Sequence, residues 1–212
     1  MQFDFKTKPY EHQLVALQRS YDKTNYGYFM EMGCGKSKVL IDNLAWLHVN
    51  KGLDTAIIIA PKGVYRNWQI SEIPAHLPED IEHEVYVWNP NPNKAEAQRL
   101  KAGIEERGKL RILLVNVEGF ATQKVKKFVD LFVRGTPFLL AIDESTTIKN
   151  PKAKRTKALV ALGKAASFRR ILTGSPVTKS PMDLYAQCGF MDKVLLGFES
   201  YYSFQGRYEI TR

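Results

Sequence analysis

Residues 28–37 read YFMEMGCGKS: an apolar run, two glycines around a cysteine, then Lys36 and Ser37 opening a stretch of helical spacing. Glycine lets a backbone curl until successive N–H groups point at one centre, and a helix starting there adds its positive end. An ammonium placed as Lys36 is can reach the β- and γ-phosphates of a nucleotide, and a hydroxyl placed as Ser37 is can ligate Mg²⁺. The full G-x-x-x-x-G-K-[ST] pattern is broken at Met30, which leaves the core Gly33, Cys34, Gly35, Lys36 and Ser37. A glycine-rich helix start beside a surface lysine is the plainer alternative. The strand before and the helix after favour phosphate. Cys34 reads as a small loop residue, since no nearby histidine supports it as a nucleophile.

Outward from this loop, six segments read as strands: Tyr28–Met32, Thr55–Ala60, Glu84–Trp88, Arg111–Asn116, Phe138–Ile142 and Arg169–Thr173. Most are continuous apolar runs, the pattern of a parallel sheet covered on both faces. Helical spacing fills the gaps at Glu11–Lys23, Lys36–Asn50, Val64–His76, Lys94–Arg107, Gln123–Val133 and Lys154–Ala165. Such alternation predicts an α/β fold with a mostly parallel central sheet and helices on both faces. Pro181–Phe190 reads as a further helix. Beyond it, Phe198, Tyr201, Tyr202, Phe204 and Tyr208 make an aromatic tail that either covers this domain or faces a neighbour.

The run Phe138–Ile142 ends in Asp143 and Glu144. A strand end delivers both carboxylates to the C-terminal edge of the sheet, where α/β proteins bind ligands. With a phosphate loop upstream, Asp143 is the candidate holder of Mg²⁺ and Glu144 the candidate base for an attacking water. Read alone, an Asp-Glu pair after a strand merely starts a turn.

Composition narrows the class. The chain has 212 residues, 44% hydrophobic and 25% charged, enough to bury a core and too short for two full α/β domains. Apolar runs such as 56–60 and 138–142 fall far short of the ~20 residues of a membrane helix. The opening MQFDFKTKPY puts charges where a signal peptide would be apolar, and Cys34 and Cys188 cannot build a metal cluster alone. Lys and Arg number 31 against 22 Asp and Glu, a net charge of +9, which suits a polyanionic partner or solubility alone.

Taken in order, the motifs resemble the first RecA-like P-loop NTPase domain of superfamily 2 helicases, and within them the SNF2-like group. Pro9-Tyr10-Glu11-His12-Gln13 resembles the adenine-reading segment, Gly33–Ser37 motif I, and Ile57–Trp68 motif Ia. Val115–Phe120 sits where the next DNA-side motif belongs. Asp143–Asn150 resembles the DEAH stretch with its K-N pair, and Leu172–Pro176 resembles motif III. Asp183–Phe190 and Leu196–Tyr208 continue the likeness. Ser145-Thr146 replaces Ala-His, so the usual histidine contact to motif III must be made otherwise or lost. The divergent, shortened character resembles a phage or mobile-element member more than a chromatin remodeller.

The resemblance implies an ATP-driven motor on double-stranded DNA, with ATP and Mg²⁺ as cofactors. It implies roles for Tyr10 and Gln13 at the adenine, for Pro61, Lys62, Arg66 and Lys149 at the DNA backbone, and for Thr173, Gly174 and Ser175 in coupling. It also implies a second RecA-like domain that supplies transition-state arginines, worth about 10³–10⁵ in rate in related NTPases. Arg169 and Arg170, at a strand start, are poor substitutes, so the 212 residues alone are expected to hydrolyse slowly or not at all. The expected organisation is a RecA-like domain over 1–190 and an aromatic segment over 191–212 leading toward that second domain. The expected setting is the cytoplasm of a bacterium or a phage-infected cell, without membrane association. A P-loop small-molecule kinase, a non-catalytic binding module and a restriction-enzyme motor subunit stay open as alternatives. The basic run Lys149–Lys157 also reads as a solvated helix face, and Trp46, Trp68 and Trp88 read as packing residues.

Overall fold

The structure, a computed structural model, describes residues 4–209; the outer ends of the two expected segments, 1–3 and 210–212, lie outside the described residues. Six strands form one sheet: β1 (Asn25–Phe29), β2 (Thr55–Ala60), β3 (His83–Val87), β4 (Leu110–Asn116), β5 (Leu139–Asp143) and β6 (Phe168–Thr173). Their order is β1-β6-β5-β2-β4-β3, and every neighbouring pair is parallel. The helices are α1 (Glu11–Ser20), α2 (Lys36–Lys51), α3 (Tyr65–Asn67), α4 (Ile73–His76), α5 (Lys94–Glu105), α6 (Gln123–Phe132), α7 (Lys154–Gly163), α8 (Asp183–Met191) and α9 (Tyr201–Tyr208). Among the described residues no helix is long and apolar enough to cross a membrane.

The continuous apolar strands are explained by two cores. Alternate residues of a strand point to opposite faces. Ala56, Ile58 and Ala60 of β2 therefore pack with Leu40, Leu44 and Leu47 of α2, while Ile57 and Ile59 pack with Val125, Val129 and Phe132 of α6. Strands β4 and β5 divide in the same way, Leu139 and Ala141 to one core and Leu140 and Ile142 to the other. Each buried isoleucine or leucine contributes roughly 1.5–3 kcal/mol.

Two expectations need correction. Strand β1 covers Asn25–Phe29 rather than 28–32, because its register is set by β6, Asn25 opposite Arg169 and Phe29 opposite Thr173. The apolar residues after Phe29 leave the sheet, and Met32 is 85% exposed. The helix expected over 64–76 is interrupted: between α3 and α4 lies a π-helical turn, Trp68–Glu72. The aromatic tail forms α9, whose Phe204 is buried against Tyr185 of α8 and against Phe198, while Tyr202 stays exposed.

Candidate active site

A parallel sheet sends all its strand ends to one edge. Here that edge carries the loop after β1, Pro61 after β2, Asp143 at the end of β5 and Thr173 at the end of β6. Strands β1, β6 and β5 are adjacent, so the phosphate-loop, 173–175 and 143–144 segments meet.

Gly33 and Gly35 hold φ values of +80° and +74°, a left-handed conformation that glycine adopts without steric cost. Gly35 caps α2, so Lys36 and Ser37 stand in its first turn at the positive end of its dipole. The Lys36 ammonium donates to the carbonyls of Met30 and Glu31, each at 3.1 Å, and thus rests across its own loop. The loop is pinned from outside by α1. Gln13 Nε2 donates to the Cys34 carbonyl at 3.1 Å, and His12 Nε2 lies 3.1 Å from the same oxygen. Gln13 Oε1 accepts from the Tyr10 backbone N–H at 3.0 Å. The Tyr10 ring is exposed and stacks on His12 with centroids 5.9 Å apart.

Asp143 is buried, and both its oxygens are held. Trp68 Nε1 donates to Oδ2 at 3.0 Å, and the Glu144 backbone N–H donates to Oδ1 at 3.0 Å. Desolvation pushes its carboxyl above the ordinary aspartate range, and the Glu144 charge adds to this; the Trp68 and Glu144 donors and Lys36 pull the other way. Glu144 has φ +49°, alone among the described non-glycine residues in holding a positive φ. A side chain there costs on the order of 1–3 kcal/mol, and such strain gathers at functional sites.

Met32, Gly33, Gly35, Lys36, Ser37, Asp143 and Glu144 line one cavity of about 370 Å³, together with Val64, Asn67, Trp68 and Glu72. A larger cavity of about 820 Å³ lies between α6 and α7, among Phe120, Lys126 and Lys157, away from the phosphate loop. The donor set of the first cavity fits magnesium: a hydroxyl and a carboxylate are hard oxygen ligands, and Mg²⁺ is commonly held by one or two carboxylates plus phosphates.

The 173–175 segment adjoins the loop. Thr173 is buried and its Oγ1 accepts from the Ser175 N–H at 3.2 Å. A Cβ on Gly174 would stand 3.3 Å from Met32 Cγ and 3.4 Å from Met32 N, so the glycine permits this close approach. The link expected from a histidine is made otherwise: Ser145 donates to Gln187 Oε1 at 2.6 Å, and Gln187 Nε2 donates to the Pro176 carbonyl at 2.8 Å.

On the prospective DNA side, Lys62 and Arg66 are exposed beyond β2, and the Pro61 carbonyl accepts from Val64 and Tyr65. Lys149 is anchored by its neighbours. It donates to Thr178 and pairs with Asp183 at 3.6 Å. Burial raises the Asp183 carboxyl, but the Thr178 hydroxyl, the backbone N–H groups of Lys179 and Thr178, and Lys149 outweigh it and hold it at about 2. Arg170, fully buried, donates to Asn43 Oδ1 and to the carbonyls of Ser20, Lys23, Thr24 and Arg169. It is a structural tie and faces no ligand cavity. The sequence placed Trp68 at the end of the motif Ia stretch and in the packing, not at Asp143, and passed over Glu72. Neither has a local signal, because Trp68 and Asp143 are 75 residues apart in the chain.

Comparison with known proteins agrees with this geometry. The probable ATP-dependent DNA helicase CHR12 of Arabidopsis thaliana is 28% identical over 169 residues, covering 76% of this chain and 14% of that protein. The protein CHROMATIN REMODELING 20 of the same plant is 30% identical over 178 residues, covering 78% of this chain and 12% of that protein. The fold matches the Sulfolobus solfataricus SWI2/SNF2 ATPase core in complex with dsDNA at a TM-score of 0.74 and 20% identity, over 97% of this chain and 40% of that one. The chain thus spans less than half the length of these proteins, and the expected phage or mobile-element source finds no support among them. The SNF2-related domain family matches residues 10–210, and this chain, with its RecA-like parallel sheet, belongs to that family.

Proposed function

We propose that the chain is the ATP-binding half of an ATP-dependent DNA translocase, and that it hydrolyses ATP effectively only with a second RecA-like domain. The observation that carries this is the meeting of Gly33, Gly35, Lys36 and Ser37 with Asp143 and Glu144 in one cavity. In this reading the backbone N–H groups of the loop and the start of α2 bind the phosphates. Lys36 leaves the Met30 and Glu31 carbonyls, which are weak competitors, for the β- and γ-phosphates. Ser37 and Asp143 would hold Mg²⁺, whose chemistry there is to neutralise charge on the phosphate oxygens. Glu144 orients the attacking water and accepts its proton. Gln13 turns from the Cys34 carbonyl to the adenine edge, Tyr10 offers its exposed ring, and Gly33, Cys34 and Gly35 shape the cradle.

Pro61, Lys62 and Arg66 meet the backbone of double-stranded DNA, and Lys149 contributes from its anchored position beside Asp183. Thr173, Gly174 and Ser175 report the state of the phosphates to the second domain, toward which the segment after residue 190 leads. The domain division at 190 and a cytoplasmic setting in a bacterial or phage-infected cell belong to the same reading; the order of the motifs supports the first.

The test is ATP turnover, with and without double-stranded DNA, for this chain and for a longer chain that carries a second RecA-like domain. DNA-stimulated turnover restricted to the longer chain is expected. Lys36→Ala should lose nucleotide binding, whereas Glu144→Gln should bind nucleotide and not turn it over. Turnover by the short chain with a small-molecule phosphate acceptor would replace the motor by a kinase.

A further inference from the structure

The bond from Trp68 to Asp143 is out of water at both ends, with the two residues 1% and 7% exposed. A hydrogen bond to a charged group gains strength in such surroundings. An indole N–H can only donate. Facing Oδ2, it favours the ionised carboxylate, while the Glu144 N–H holds Oδ1 from the other side. Two donors from two directions leave the carboxylate one orientation. The indole is itself fixed by the backbone. Trp68 opens the π-helical turn, where the Ile73 N–H returns to the Trp68 carbonyl across one residue more than an α-helix allows. Turns of this kind sit mostly inside helices and frequently at functional sites. The same turn sets Glu72 and Asn67 on the cavity wall, joined by a 3.1 Å hydrogen bond.

We infer that Trp68 is a positioning residue for Asp143, its indole N–H fixing the orientation in which that carboxylate meets the metal of a bound nucleotide. The inference rests on the assignment of Asp143 to the metal side of the site. It is tested on this chain by calorimetry with ADP and then with ADP plus Mg²⁺, in the wild type and in Trp68→Phe, which removes the N–H and keeps an aromatic ring in the core. The expected result is unchanged affinity for metal-free ADP and a Mg²⁺-dependent gain smaller by about tenfold, the factor carried by one lost hydrogen bond to a charged group. A full Mg²⁺ gain in folded Trp68→Phe overturns the inference alone. A wild-type chain that binds no ADP with Mg²⁺ defeats the nucleotide reading, and the inference with it. A second measurement needs neither nucleotide nor a folded Trp68→Phe protein: solvent exchange of the Trp68 indole proton, followed by NMR, should quicken in Asp143→Ala. Unchanged exchange there means that the bond does not hold, and it too overturns the inference.

Discussion

Ser145 and Gln187 are joined by a 2.6 Å hydrogen bond that is entirely shut off from water. Gln187 passes the connection on, donating to the carbonyls of Pro176 at 2.8 Å and Asp183 at 2.7 Å. The segment after the acidic pair is therefore bolted to the end of LTGSP through a serine and a glutamine, in a chain that has Thr146 where the DEAH pattern has histidine. Ser145→Ala leaves Gln187 Oε1 buried without its donor, an expected loss of about 1–3 kcal/mol. The urea midpoint of the variant measures it, and an unchanged midpoint would show that the bridge contributes nothing.

The two loop glycines should differ in what they tolerate. A Cβ on Gly35 would lie 2.3 Å from Gln13 Nε2, whereas one on Gly33 meets nothing within 4 Å. Both variants bear the left-handed backbone cost of about 1–2 kcal/mol, but only Gly35→Ala must also push Gln13 off the Cys34 carbonyl. Thermal unfolding should therefore rank Gly35→Ala below Gly33→Ala, and ATP affinity should follow the same order.

Stability should carry a signature of Asp42. Burial lifts its carboxyl to about 6, against the pull of the Lys38 hydrogen bond and charge, and its Oδ1 has no partner. Since the folded value exceeds the unfolded value near 3.8, the folded chain binds the proton more tightly between them. This contribution is fully present below about pH 4 and lost as pH rises through about 6. Asp42→Asn should flatten the fall in urea midpoint across that window relative to the wild type; parallel curves would count against the shift.

DNA affinity should report on the loop after β2. Each phosphate contact removed lowers the log–log salt slope by about 0.9. Lys62→Ala and Arg66→Ala are each expected to do so, while Lys127→Ala, exposed on α6, should leave the slope alone. Equal effects from all three would mean diffuse attraction rather than a site.

Much of this molecule is written locally. The alternation of apolar runs and helical spacing specified the α/β class and its parallel sheet, because a strand covered on both faces must be apolar at every position. The glycines, Lys36 and Ser37, and the carboxylates ending β5, announced the phosphate site, since each chemistry needs those residue types at adjacent positions. Long-range contact settled the remainder. The start of β1 follows its register with β6, Arg170 became a buried tie because the end of α1 and the turn before β1 bring carbonyls around it, and Lys149 gained Asp183 as a partner. Trp68 met Asp143 because the fold closed a gap of 75 residues between them. Spacing along a chain encodes what neighbours in sequence can do together; which distant groups share a hydrogen bond depends on how sheet and helices pack in space.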